Sequence, residues 1–128
     1  MEKGRYEFIA KQIFESSLDV HREMGPGLLE SVYEECMYNE LRSRKLYVER
    51  QIFLPLVYKG KELMKEFRLD LLVEHEIIIE IKAVEIALPV HSAQIISYLR
   101  LADKKMGFLI NFNVALIKNG FRRFVNGY

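Results

Sequence analysis

A glutamate and a lysine interrupt an apolar run at residues 77–84, and this pair is the strongest candidate for chemistry in the chain. Glu80 and Lys82 stand two positions apart among isoleucine, alanine and valine. Side chains at i and i+2 share one face of a strand, so the two charges point the same way. A charge taken out of water is costly unless something compensates it. The pattern therefore favours a functional role for the pair.

A second acid is expected directly opposite this pair. Residues 66–73 form another strand-like run that contains Asp70, and the polar segment 74–76 suits a tight reversal between the two runs. If the chain folds back at His75 as an antiparallel hairpin, Asp70 and Glu80 lie at equal distances from the turn and face each other. A slip of one residue in this register would move Asp70 to the other face.

Two opposed carboxylates predict a bound cation. The Cβ atoms of directly opposed residues lie about 5 Å apart, and two ionised carboxylates that close repel unless a cation sits between them. Hard oxygen ligands from few side chains, with room for water and a phosphate, fit Mg²⁺ better than zinc. The spacing therefore predicts a divalent-metal site with a lysine beside it.

Composition is that of an ordinary globular protein. Its 128 residues suffice for one sizeable core, so we expect a single domain over residues 1–128. No apolar run reaches the length of a membrane span and the charged first residues leave no signal-peptide core, from which we expect a cytoplasmic protein. The single cysteine, Cys36, excludes an internal disulfide and is expected to be a buried structural thiol.

The net charge of +1 gives no global basic field, so any surface that binds a polyanion must be local. Basic clusters occur at residues 42–45, 104–105 and 122–123, and each could contact phosphates or be an ordinary solvated turn or helix end. From these clusters the candidate nucleic-acid contacts are Lys104, Lys105, Arg122 and Arg123.

Hydrophobic periodicity predicts the elements that must position these residues. Two amphipathic helices are expected at about residues 5–23 and 29–45, followed by three antiparallel strands at about 47–58, 62–73 and 77–84, a helix at 89–102 that begins at a proline, and strands at 106–112 and 121–125. The last helix is long enough for a crossover, so the third and fourth strands are expected to be parallel neighbours. This order predicts an α/β or α+β fold with a mixed central sheet.

The third helix adds polar residues that could reach the same site. His91, Gln94 and Tyr98 recur at steps of three and four and so lie on one helix face. This spacing fits two interpretations equally well. Gln94 and Tyr98 could lie at the edge of the site, or they could cap backbone groups or be partly exposed at the surface.

The ordered set resembles the PD-(D/E)xK nuclease superfamily. Asp70 is followed by Glu80-x-Lys82 and then by Gln94 and Tyr98, which is similar to the Gln-x-x-x-Tyr helix of the exonuclease-like branch. The superfamily's eponymous proline is absent, because leucine precedes Asp70.

A closer resemblance is to the small bacterial GxxExxxxF proteins, which are placed in that superfamily. Gly27 and Glu30 fit the pattern, and Cys36, Met37 or Tyr38 lies near the position that calls for an aromatic or apolar residue. The resemblance extends over nearly the whole chain from Gly25 onward.

This resemblance implies a mixed central sheet flanked by helices and a metal site. Asp70 and Glu80 would bind one or two Mg²⁺ or Mn²⁺ ions together with the backbone carbonyl of Ile81. Glu30 would match the extra acid that many members bring to the metal.

The resemblance also implies catalytic roles beside the metal. Lys82 would orient or deprotonate the attacking water and offset charge on the scissile phosphate. Gln94 and Tyr98 would position the nucleic-acid backbone or the lysine.

Three functions follow from these patterns. The first is a Mg²⁺-dependent nuclease that acts on DNA or RNA, and the second is a catalytically silent module that binds nucleic acid or a protein partner. The third is a structural subunit in which Asp70, Glu80 and Lys82 form a buried salt-bridge network, which the excess of acid over base disfavours. Homodimerisation and an unknown protein partner stay open.

Overall fold

The computed structural model describes all 128 residues and contains the predicted helices and strands in the predicted order. The elements are α1 (Lys3–Met24), α2 (Glu30–Ser43), β1 (Val48–Tyr58), β2 (Lys61–Val73), β3 (Ile77–Lys82), α3 (Pro89–Leu101), β4 (Met106–Asn111) and β5 (Phe121–Val125), with a short 3-10 turn at Ile117–Asn119 that was not predicted. The third strand ends at Lys82 rather than at Val84, so the lysine stands at the end of β3.

The strands form one mixed sheet in the order β1-β2-β3-β4-β5. Only β3 and β4 run parallel, and the other neighbouring pairs are antiparallel. The crossover that joins the parallel pair contains α3, as its length predicts. The predicted α+β architecture with a mixed central sheet is confirmed.

The register of the β2–β3 hairpin is confirmed where the strands pair. Leu71 lies opposite Ile79, and Val73 lies opposite Ile77. Glu74 and His75 at the reversal have left-handed backbone conformations, with φ of +52° and +60°. Pairing between β2 and β3 ends just before Asp70 and Glu80 are reached, which leaves these acids where the strands separate.

Helices cover both faces of the sheet around β3. Ile77, Ile79 and Ile81 belong to the larger core cluster, which contains residues of α1 and α2. Ile78 belongs to a smaller cluster that contains Leu99 of α3. A strand covered on both sides needs an almost continuous apolar run, which explains the isoleucines. By alternation, Glu80 and Lys82 lie on the α3 side with Ile78.

Cys36 differs from its prediction. It is partly buried rather than buried, and its side chain packs against the edge of the larger core cluster. None of the three helices combines the length and the apolarity that crossing a membrane requires.

The β1–β2 hairpin is irregular at Gln51 of β1, which has a φ of +52° and no partner in the ladder between the two strands. Leu71 packs in the larger cluster, whereas Leu69 packs on the other side of the sheet with Ile78. In β2, the apolar side chains therefore switch from one side of the sheet to the other at Asp70. Beyond this point residues 52–69, here called the hairpin arm, extend past β3, because β3 pairs only with residues 71–73.

Gly120 gives the first testable prediction, because a Cβ atom at this position would lie 2.1 Å from the Asn111 carbonyl oxygen. The neighbouring atom is backbone at the end of β4, so the clash cannot be relieved by a side-chain rotation. We expect Gly120→Ala to lower the free energy of unfolding by about 2 kcal/mol or more in urea denaturation. Gly4→Ala is the matched control, since nothing lies within 4 Å of a Cβ atom there. Equal stability of the two variants would contradict the packing described here.

Candidate active site

Asp70 and Glu80 occupy the point at which β2 and β3 separate. The Asp70 amide donates a hydrogen bond to Glu80 Oε2 at 2.9 Å, and the Ile81 amide donates one to Asp70 Oδ2 at 2.8 Å. The carboxylates thus bond to backbone N–H groups where the ladder between the strands has ended. Both side chains are buried, with 6% of Asp70 and 3% of Glu80 exposed. The Asp70 backbone thus holds the Glu80 carboxylate, and the Ile81 backbone holds the Asp70 carboxylate.

Burial raises the cost of ionising both acids. Burial, and then the negative charge of Asp70, raise the pKa of Glu80 to about 8. Burial also raises the pKa of Asp70, and the charge of Glu34 adds to that rise. Both shifts reflect negative charge held out of water without sufficient positive charge nearby. A divalent cation beside these oxygens would remove that deficit.

The two acids lie in a cleft of about 300 Å³ between the hairpin arm and α3. The cleft is lined by Glu30, Phe53, Arg68, Asp70, Glu80, Lys82, Gln94 and Tyr98. The structure therefore brings together every predicted catalytic side chain, and it adds two residues of the hairpin arm that the sequence did not indicate.

Tyr98 is held against the hairpin arm. Its ring centroid lies 5.1 Å from that of Phe67. Burial, and then the charge of Glu80, raise the pKa of the Tyr98 phenol, so its hydroxyl keeps its proton near neutral pH and can donate a hydrogen bond. Gln94 precedes it by one helical turn and lines the same cleft. Their spacing in the sequence fitted either a place at the site or a place at the surface. The structure places Gln94 and Tyr98 in the cleft with Glu80.

The cations of the cleft do not neutralise the acids fully. Arg68 Nη2 lies 3.4 Å from Asp70 Oδ1, and its side chain is 53% exposed. Lys82 forms no ion pair with Asp70 or Glu80, although its charge acts on both. The buried salt-bridge network of the structural interpretation is therefore not formed.

Glu34 is a site residue that was missed. It lies one turn after Glu30 on α2, is buried, and borders a second cleft of about 410 Å³ that also reaches Asp70 and Ile81. Its carboxylate accepts hydrogen bonds from Arg50, at 3.2 Å, and from the Gln51 side chain. Through these bonds Glu34 connects α2 to the irregular part of β1 at Gln51, beside Asp70. The step of four from Glu30 was the only signal of it in the sequence.

The oxygen ligands fit Mg²⁺ or Mn²⁺ in a site of few protein ligands. No group of three or more His, Cys, Asp or Glu side chains converges in the structure. Glu30 lines the cleft, but its Oε2 lies 3.4 Å from the Ala83 amide rather than with the other two acids. Mg²⁺ is commonly bound by one or two carboxylates, with water and phosphate completing its shell. Asp70 and Glu80 supply such a pair.

The four predicted nucleic-acid contacts lie outside this cleft. Arg122 donates a hydrogen bond to Ser92 Oγ of α3, whereas Arg123 binds Glu7 of α1 through two hydrogen bonds of 2.9 Å. The two arginines thus reach helices on opposite faces of the sheet. Lys104 and Lys105 precede β4, at the end of the parallel pair that is remote from Lys82.

A mixed sheet whose central strands bring Asp70, Glu80 and Lys82 to one cleft defines a protein of the nuclease-fold class. A family model of the PD-(D/E)XK nuclease superfamily matches residues 7–124, so the chain belongs to this superfamily. No curated protein and no solved structure matches it. Membership suggests nuclease activity, nucleic-acid binding and the use of divalent metals. The narrower resemblance to the GxxExxxxF proteins stays a prediction.

Proposed function

We propose that the protein is a Mg²⁺- or Mn²⁺-dependent nuclease that hydrolyses phosphodiester bonds of DNA or RNA. The observation that carries the proposal is the pair of buried carboxylates, Asp70 and Glu80, in one cleft with Lys82. Membership of the superfamily supports it. A cytoplasmic location, a single domain over residues 1–128 and a homodimeric or partner-bound state stay predictions from the sequence.

Asp70 and Glu80 would hold the metal ion, with the Ile81 carbonyl as a further oxygen and Glu30 at the rim. When bound, the ion supplies positive charge to a phosphate oxygen and lowers the pKa of a water molecule. The fixed hydrogen bonds from the Asp70 and Ile81 amides orient the two carboxylates before any ion binds.

Lys82 would act on the attacking water and on the phosphate. Its ammonium group is on the same face of β3 as Glu80 and is not engaged in an ion pair with either acid. A positive charge placed there stabilises the negative charge that develops as water attacks phosphorus. Gln94 and Tyr98, on the α3 wall of the cleft, would orient Lys82 or the nucleic-acid backbone.

Metal binding tests the proposal directly. We expect calorimetric titration to show Mg²⁺ and Mn²⁺ binding to the wild type and an affinity at least about 100-fold lower for Asp70→Asn, because a ligand oxygen loses its charge. The asparagine can still accept the Ile81 hydrogen bond, so the fold should persist. Asp103→Asn, in the exposed turn after α3, is the matched control and should bind metal like the wild type.

Cleavage assays with plasmid and single-stranded substrates complete this test. Metal-dependent cleavage by the wild type that is lost in Asp70→Asn would support the nuclease. Metal binding without cleavage of any substrate would favour the catalytically silent binding module. Absence of metal binding would contradict the proposed site.

A further inference from the structure

The outer wall of the cleft carries an exposed aromatic ring beside a guanidinium. Phe53 of β1 and Arg68 of β2 are direct cross-strand partners, and both line the cleft with Asp70 and Glu80. The Phe53 residue is 59% exposed, and the Arg68 side chain is 53% exposed. Neither has a role in the proposed metal site, apart from the 3.4 Å contact of Arg68 with Asp70. Their position suggests that they contact the substrate.

We propose that Phe53 and Arg68 form a nucleotide subsite in which the ring stacks on an unpaired base and the guanidinium binds the adjoining phosphate. The inference rests on the proposed function, because it places this nucleotide next to the phosphodiester bond at Asp70 and Glu80. It assigns single-stranded nucleic acid, or an unpaired segment of a duplex, as the preferred substrate.

An aromatic ring selects for an unpaired base because of stacking. Inside a duplex, each base already has neighbours on both of its faces, whereas a single strand offers free faces to aromatic side chains. Arg68 can bind a phosphate through two parallel hydrogen bonds. The Cβ atoms of directly opposed residues are about 5 Å apart, so the two side chains can engage the same nucleotide.

Arg68 is available for this role. Its contact with Asp70 Oδ1 is long, at 3.4 Å, and more than half of the side chain is in solvent. Asp70 is buried, but the long distance and the exposed guanidinium make this a weak ion pair, so Arg68 can leave it for a phosphate at little cost. In the cleft, Arg68 and Lys82 are the two cations that can compensate a phosphate.

The hairpin arm also supplies a matched control. Tyr58 is another exposed aromatic residue of β1, with 61% exposed, and Lys59 lies over its ring at 5.4 Å. It stands near the tip of the arm and does not line the cleft. Along an extended strand it is roughly 16 Å from Phe53. A general affinity of the arm for nucleic acid would involve Tyr58, whereas the proposed subsite would not.

The test is fluorescence anisotropy with labelled oligothymidylate, oligouridylate and a duplex of the same length. One set of titrations uses Ca²⁺ in place of Mg²⁺, and a parallel set uses chelator. Variants are compared with the wild type in the condition in which the wild type binds more tightly. We expect both single strands to bind more tightly than the duplex. Phe53→Ala should weaken single-strand binding about tenfold, while Phe53→Trp and Tyr58→Ala should bind like the wild type. Arg68→Ala should weaken binding and reduce its salt dependence.

Several results would overturn the subsite. They are a loss of less than about twofold in Phe53→Ala, an equal loss in Tyr58→Ala, tighter binding of the duplex, or no binding of any probe by the wild type. Thermal unfolding of each variant confirms that it is folded. The failure of the nuclease proposal is distinguishable, because binding dependent on Phe53 in a protein that never cleaves would keep the subsite and reject the nuclease. Cleavage with binding independent of Phe53 would reject the subsite alone.

Discussion

Lys82→Ala is expected to abolish metal-dependent cleavage, with a fall in rate of about 1,000-fold or more. The ammonium group lies in the cleft with Glu80 and forms no ion pair with the acids, so its charge is free to act on the water and the phosphate. For the same reason its removal should cost little stability. The measurement is the initial cleavage rate at saturating Mg²⁺ and Mn²⁺, with thermal unfolding of the same preparations.

Two control variants separate a local from a general effect of charge. Lys11→Ala removes an exposed lysine of α1, which packs on the side of the sheet opposite to α3, and should leave the rate within about twofold, because surface charges a long way apart are screened by salt. Lys82→Arg keeps the charge in a wider planar group and should restore only part of the activity. A Lys82→Ala rate within tenfold of the wild type would remove this lysine from the mechanism.

The central site could be predicted because its signals are local. Glu80 and Lys82 break an apolar run, and the register that follows from the turn at His75 brings Asp70 within hydrogen-bonding distance of Glu80. Alternation along β3 then fixes the face on which the charges lie. Only one hairpin register had to be correct for these residues to meet, and the structure has that register up to the last paired residues before the acids.

The hairpin arm could not be predicted in the same way. Counting from the turn at Lys59, strict pairing would set Phe53 opposite Glu66. The structure has a register shift between Pro55 and Val57, which sets Phe53 opposite Arg68 instead. A bulge of this kind leaves no clear trace in the apolar pattern of an exposed hairpin, where both faces are partly in water.

The ion-pair partners of the basic clusters could not be predicted from the sequence either. Arg123 is paired with Glu7 from the start of the chain, and Arg44 of the first cluster lies 2.6 Å from Asp19. Both partners are brought near by the packing of α1 rather than by closeness in sequence. A run of positive residues therefore does not reveal how much of its charge is already compensated in the fold.

Glu80→Gln is expected to stabilise the metal-free protein at pH 8 by about 3 kcal/mol, because it removes a buried charge. The pKa of Glu80 is raised from 4.5 to about 8 by burial and by the charge of Asp70. A group whose pKa is higher in the folded state stabilises the fold fully below its unfolded pKa, and that stabilisation is lost as the pH rises through the folded value. In chelator the wild type should therefore lose stability between pH 4.5 and about 8. Glutamine cannot ionise, and its oxygen can still accept the Asp70 amide.

Urea denaturation in chelator across this pH range measures the difference, with Glu23→Gln on the exposed end of α1 as the control that should follow the wild type. Added Mg²⁺ should reverse the order of stability at pH 8, because binding to the folded state stabilises the wild type and a variant that has lost a ligand charge gains less. If Glu80→Gln follows the wild type at every pH in chelator, the fold does not raise the pKa of Glu80 by burial and by the charge of Asp70. If Mg²⁺ stabilises both proteins equally, Glu80 is not one of its ligands. The order of stability reverses only if the Glu80 carboxylate has both properties. Its charge must be costly to bury when no ion is bound, and it must coordinate Mg²⁺ when the ion is present.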